Sequence, residues 1–182
     1  MKTQKNLLKQ KISLYLKRGQ LFKNEEYKKL ETPFLTKARK NFTVANLLFQ
    51  ISEQKEMRKI LSLSSDFEMY DWAIIVSYYA MYTSSLSALA KIGYKSKSHA
   101  ATITILKYNF VKSKKLELKE ISKLTKAYEL SEHLITKLLQ TKSKRETAQY
   151  DATPSITREM AKSALRDANE FITRIEDMLL IS

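Results

Sequence analysis

The chain of 182 residues has no cysteine, two glycines, two prolines and two histidines. Without cysteine there is no disulfide framework, no thiolate zinc site and no cysteine nucleophile. Two glycines and two prolines are too few to punctuate an all-β fold, which needs a turn every few residues. His99 and His133 are 34 positions apart, so a His-based metal site is not expected, nor is any cofactor. Acidic residues are also short: 19 Asp and Glu stand against 33 Lys and Arg, a net charge of +14. No P-loop, no GxGxxG and no HExxH occurs, and no serine sits in a nucleophile elbow. The start of the chain lacks a leader-type apolar run, so the expected location is cytoplasmic.

What is present is helical periodicity. Leu, Ile, Lys, Glu and Ala dominate, and apolar residues recur at spacings of three and four almost throughout. The expected fold is all-α: an up-and-down bundle of four to five main helices with an extra N-terminal helix. The stretch that organises it runs from Trp72 to Ala90, nineteen residues without a charge. In length it could span a bilayer. However, five of the nineteen are Ser or Thr, and Tyr78, Tyr79 and Tyr82 lie in its middle rather than at its ends. It reads as the buried central helix of a bundle, about 68–92, with no integral membrane segment. Its small residues offer a face that another helix, or a second copy of this one, can approach closely.

The rest falls around it. Residues 1–18 form a basic amphipathic helix, with Leu7, Leu8, Ile12, Tyr15 and Leu16 on one side and Gly19 to end it. Two roles stand for it, a helix docked on the domain or a contact with RNA, a membrane surface or a partner helix. A charged connection ends at Pro33, so the division is 1–33, a basic N-terminal helix and connection, and 34–182, the bundle. Helix two covers about 34–50 with Leu35, Ala38, Phe42, Ala45 and Phe49 inward, and 52–68 reads as a loop or short insertion. After Gly93, a left-handed cap position, Ser96 or Ser98 can cap a fourth helix carrying His99, Ile103, Leu106 and Phe110. Helix five spans about 117–144 (Ile121, Leu124, Tyr128, Ile135, Leu138). Helix six spans about 155–180 (Ile156, Met160, Ala164, Ala168, Phe171, Ile175, Met178). His133 lies off the stripe of helix five and reads as a solvated surface residue.

The positive charge is uneven. Residues 1–60 hold 15 basic and 5 acidic side chains, +10, whereas 61–92 hold 1 and 3, −2. Excess positive charge attracts polyanions, although Lys outnumbers Arg 26 to 7 and a lysine-rich solvated surface has the same composition. Two constellations carry chemistry. Arg145 and Tyr150 flank a helix break: Arg can hold a phosphate with two bonds, and Tyr can stack on a base. The same pair can equally be an ion pair and a packed ring that pin the turn. His99 sits near a helix start among Lys95, Ser96, Lys97 and Ser98, either as part of an anion site or packed locally.

The order Tyr78-Tyr79-Ala80-Met81-Tyr82, then Gly93-Tyr94-Lys95-Ser96-Lys97-Ser98-His99, then Arg145-Glu146-Thr147-Ala148-Gln149-Tyr150-Asp151 before an Ala-rich helix resembles the HEPN domain (higher eukaryotes and prokaryotes nucleotide-binding). The likeness is to its small stand-alone bacterial and archaeal members and covers about 34–180. It implies a helical homodimer, association with a minimal nucleotidyltransferase as a toxin–antitoxin pair, and contact with RNA or a nucleotide. The residues it points to are Arg145, Tyr150, His99, Lys95, Lys97 and Tyr79. Active HEPN ribonucleases cleave RNA without metal, using an Arg followed four to six residues later by His. Here Arg145 matches the Arg, but Tyr150 fills the His position, which implies at most a degenerate endoribonuclease. Arg145, Tyr150 and His99 are then its catalytic candidates. The alternative function is a non-catalytic dimeric protein-interaction module.

Overall fold

A computed structural model describes residues 2–111, 113–144 and 156–180 of the chain. Helix α1 (Lys2–Lys17) leads into strand β1 (Leu21–Lys23) and a 3-10 turn (Glu25–Leu30). Helix α2 (Glu31–Glu53), the short α3 (Lys55–Ile60) and the central α4 (Tyr70–Lys91) follow. Strand β2 (Tyr94–Ser96) then precedes α5 (His99–Leu106), which widens into a π-helical turn at Lys107–Val111. Two long helices close the chain, α6 (Leu118–Lys144) and α7 (Arg158–Leu180). Helices α2, α6 and α7 all pack on α4, an all-α bundle as expected.

α4 is long and apolar enough to cross a bilayer, yet 78% of its apolar window is buried by the rest of the chain. Its small residues are used within the molecule. Ala38 and Ala45 of α2 are fully buried. Against α2, the Ser87 hydroxyl donates to the Glu31 carbonyl (2.7 Å) and Asn41 donates to the Thr83 hydroxyl (3.4 Å). It is another helix of the same chain, α2, that makes this close approach. Arg39 of α2 reaches α7, donating from Nε to Glu176 (2.7 Å) and also to Asn169 and Thr173.

Three expectations of local structure are corrected. Helix α2 starts at Glu31 and includes Pro33, because the first turn of a helix needs no N–H partner within it. The link after Gly93 is a strand: Leu21, Phe22 and Lys23 pair antiparallel with Ser96, Lys95 and Tyr94. The ribbon extends at both ends, with Asn24 N–H to Gly93 O (2.9 Å) and Lys97 N–H to Gln20 O (2.9 Å). Gly93, at φ +75°, makes the reversal out of α4. On α7 Ala168, Phe171, Ile175 and Met178 are buried as expected, but the buried face is wider than the stripe, taking in Ala161, Leu165, Ile172 and Leu179, and Met160 at its edge is exposed.

The N-terminal segment is docked. Ile12 and Leu21 belong to the main core with Tyr78, Met81, Ile105 and Phe171, and Tyr15 packs on it. Leu7 and Leu16, expected on the same side, remain exposed.

Candidate functional site

The site candidates separate into three places. The first is aromatic. Tyr78 and Tyr82, one turn apart on α4, stack with ring centres 5.9 Å apart. α5 begins beside them because Ser98 caps it, accepting from the Ala101 N–H (3.4 Å), while Ser96 donates to the Ser98 carbonyl (2.9 Å). That start delivers the His99 ring onto Tyr128 of α6, 4.0 Å between centres and 13° from parallel. Tyr78 and Tyr82 lie 6.1 and 6.2 Å from the same imidazole.

Both His99 ring nitrogens are buried and have no hydrogen-bond partner among the described residues. Burial disfavours the imidazolium and lowers the His99 pKa to about 4, so the ring is neutral at neutral pH. A neutral imidazole has one donor and one acceptor, and both are unanswered here. Burial, followed by the neighbouring tyrosines Tyr82, Tyr79 and Tyr128, pushes the Tyr78 phenol up. Burial also raises Tyr82, while its hydrogen bonds to Thr102 and Ser96 work against the rise. Neither phenol can take a proton at neutral pH. The cluster can stack and can donate or accept hydrogen bonds, but it holds no charge. Tyr79, next to Tyr78, turns outward and is 45% exposed.

The second place is the ribbon. Lys95 and Lys97 are exposed on its outer face, whereas Ser96 between them is buried. The Lys95 ammonium lies over the Tyr27 ring (5.8 Å) and that of Lys97 over Phe22 (5.1 Å). The expected gathering of Lys95, Lys97 and His99 at one helix start is therefore split, with the cations outside and the imidazole inside.

The third place is the far end of α4. Arg145 and Tyr150 lie outside the described residues. α6 runs antiparallel to α4, since Tyr128 touches Tyr78 while Leu134 packs with Ile74 and Tyr70. From Tyr128 it continues 16 residues to Lys144, about 24 Å at 1.5 Å per residue. Near this end Glu53 joins three helices: Tyr70 donates to it (2.7 Å), as does Arg158 from Nε (2.5 Å). Burial and then the Glu53 carboxylate push the Tyr70 phenol up to about 12. A cleft of about 220 Å³ opens between α4, α6 and α7, lined by Ile74, Met81, Leu130 and Met160, with Lys123 paired to Asp167 (3.1 Å) at its wall. Among the described residues no three His, Cys, Asp or Glu side chains gather as a metal site.

The HEPN domain model matches residues 34–178, most of the chain. The chain belongs to the HEPN family. A search of curated proteins finds no match. The HEPN match begins after the ribbon's first strand, so β1, the 3-10 turn and α1 lie outside it.

Sequence reasoning missed Tyr128 as the partner of His99, because a tyrosine on a helical apolar stripe reads as core. It also missed the pairing of lysines with Phe22 and Tyr27. The available signal was two short runs of strand-forming residues, Leu21-Phe22-Lys23 and Tyr94-Lys95-Ser96, each just after a glycine.

Proposed function

We propose that this HEPN protein binds RNA or a nucleotide through Arg145 and Tyr150, as a homodimeric, cytoplasmic, toxin-like or regulatory partner of a small nucleotidyltransferase. In this reading it cleaves RNA slowly at most. Membership of the HEPN family supports a nucleotide- or RNA-related role. The observation that carries the weak-catalysis part is the state of His99. A ribonuclease of this kind needs a group that exchanges a proton near neutral pH. Tyr150 replaces the family's His, and His99, held neutral with a pKa of about 4, stacks on Tyr128 some 24 Å before the described end of α6. Tyr70, with its phenol at about 12, can donate a hydrogen bond there but cannot act as a base.

The test is binding and cleavage of a labelled structured RNA in EDTA by wild type, Arg145→Ala and His99→Ala. Binding that weakens in Arg145→Ala with helicity intact is the expected result, with slow or absent cleavage in all three proteins. Unchanged affinity in Arg145→Ala overturns the site. Rapid cleavage that is lost in His99→Ala overturns the weak-catalysis reading.

One observation favours the alternative, a dimeric interaction module. Trp72 and Tyr79 of α4 and Val44 and Leu47 of α2 are all 44–46% exposed, on helices that pack antiparallel, and no charge interrupts α4 between them. In that reading the wild type is a dimer in solution, Trp72→Glu is a monomer, and no RNA binding falls with salt.

A further inference from the structure

We infer that the β1–β2 ribbon and its 3-10 turn form a second binding surface, for single-stranded RNA, separate from the Arg145–Tyr150 segment. The ligand class rests on the RNA reading above; the surface itself rests on the ribbon's geometry.

Lys95 and Lys97, on the ribbon's outer face, lie over Tyr27 at 5.8 Å and Phe22 at 5.1 Å, while Lys23, an exposed cation on the opposite face at the end of β1, lies over Tyr94 at 5.5 Å, whose ring packs on the core. The acidic groups of the adjoining turn pair first with its own lysines, and Lys23 adds only a weaker attraction to Glu25. Glu25 pairs with Lys28 (2.7 Å) and Glu26 with Lys29 (4.0 Å). Lys23, Lys95 and Lys97 make no ion pair among the described residues, and all three are exposed. The partly exposed rings of Phe22 and Tyr27, set beside cations that make no ion pair, suit a single strand. Bases stack on the rings, and the long ammonium arms swing from ring face to phosphate.

The surrounding charge agrees. Residues 1–33 hold nine basic and three acidic side chains, a net +6 within 33 residues, and Lys9, Lys11, Lys17 and Arg18 on and just after α1, the helix that leads into β1, are exposed. A duplex would be gripped through its phosphates and shape and would not reach the rings. The ribbon follows the C-terminal end of α4, a helix of 22 residues, about 33 Å long, whose opposite end faces the far end of α6. The ribbon therefore lies at the opposite end of α4 from the described end of α6 at Lys144.

The experiment uses the full chain in EDTA and a fluorescein-labelled twelve-nucleotide oligouridylate, titrated at several salt concentrations. The proteins are wild type, the triple variant Lys23→Gln/Lys95→Gln/Lys97→Gln, and Arg145→Ala; vesicles with one third phosphatidylglycerol serve as a second probe. Wild type binds the oligonucleotide, and the triple variant binds at least tenfold more weakly with unchanged far-UV circular dichroism. Its slope of log affinity against log salt becomes shallower by about 2, from three lost phosphate contacts at about 0.7 each. A Tyr27→Leu variant weakens binding without altering the slope, since a stacking ring releases no counterions. Equal affinity and slope in wild type and triple variant overturn the ribbon surface, as does wild type that binds vesicles but no oligonucleotide. Loss in Arg145→Ala with full binding by the triple variant also overturns it, while leaving the Arg145 site standing. Loss in the triple variant with full binding by Arg145→Ala supports the ribbon and removes the other site.

Discussion

The two halves of α4 solve the same burial problem in opposite ways. From Thr83 to Ala90 the side chains are small apart from Leu86 and Leu89, and each hydroxyl is answered. Thr83 donates to the Tyr79 carbonyl (2.6 Å), Ser84 and Ser85 to that of Met81 (2.8 and 2.9 Å), and Ser87 crosses to Glu31 (2.7 Å). From Tyr70 to Tyr82 the helix carries four tyrosines and the tryptophan, some buried and some turned outward. On or beside that half lie polar atoms without partners among the described residues: both His99 nitrogens and the Ser77 hydroxyl. Buried polar groups are nearly always paired, so unpaired ones mark where stability was not the only requirement. The C-terminal half is a seam for close helix contact. The N-terminal half is a surface with unspent hydrogen-bonding capacity.

The largest expected effect tests the seam. Ala88 is fully buried in the main core, and Ala88→Leu adds three carbons where neighbouring backbones already approach closely. Overpacking of this kind costs about 3 kcal/mol, which in a chain of this size lowers Tm by roughly 6–12 °C. Trp72→Ala, in the other half at an exposed position, changes stability by less than about 0.5 kcal/mol. Thermal melts of the two variants compare the halves directly; similar losses would erase the distinction.

The next test concerns His99. Its folded pKa, about 4, lies below the 6.5 of an exposed imidazole. As pH falls through 6.5 the unfolded chain takes up a proton that the folded chain refuses. The stability present above pH 6.5 is therefore lost progressively down to about pH 4, by about 2–3 kcal/mol. His99→Phe keeps a flat ring against Tyr128 and removes the titration. Urea unfolding between pH 7 and 4.5 should show a shallower decline for the variant than for wild type. Parallel curves would mean that the imidazole charges freely in the folded protein.

Much of this architecture was readable beforehand, and the reason is periodicity. The charge gap from Trp72 to Ala90 locates the central helix, and Ala38, Phe42 and Ala45 identify the inward side of α2, because a helix buried along one stripe writes that stripe at intervals of three and four. The ribbon escaped because two strands of three residues carry too little alternation to register, and their pairing joins residues more than seventy positions apart. The aromatic site was half legible. His99 stood out by its neighbours Lys95 and Lys97, yet strand alternation sends those lysines outward, and Tyr128 comes from a helix whose stripe looks like ordinary core. Burial by a distant element, which has no local signature, decides the charge state of His99.

A smaller effect follows from the junction between α4 and the ribbon. Gly93 has φ +75°, and a Cβ there would stand 3.2 Å from the Glu25 carboxylate and 3.3 Å from the Asn24 carbonyl. The left-handed conformation alone costs a non-glycine residue about 1–2 kcal/mol. Gly93→Ala should lower Tm by roughly 2–8 °C and disturb the register of Lys95 opposite Phe22. Replacing Gly19, also at positive φ (+63°), meets only the tip of the Phe22 ring at 4.0 Å, so Gly19→Ala should cost the conformational term without the crowding. Equal losses at the two glycines would mean that Asn24 and Glu25 give way readily.

The smallest effects separate two serines on the same helix. Ser87 and Ser77 are both about 1% exposed or less, and a sequence profile would treat them alike. Ser87 bonds the Glu31 carbonyl across to α2, so Ser87→Ala removes that bond and leaves a carbonyl of the first turn of α2 without it, a loss of about 1 kcal/mol. The Ser77 hydroxyl has no partner among the described residues. Ser77→Ala removes an unsatisfied buried group, so it should leave stability unchanged or raise it by up to about 1 kcal/mol. If Ser77→Ala instead destabilises as much as Ser87→Ala, the hydroxyl has a partner in solution. A second copy of the chain or a bound ligand could supply it, and two further melts distinguish them: the loss shrinks after exhaustive dialysis at constant protein concentration when the partner is a ligand, and on tenfold dilution of the dialysed protein when it is another copy.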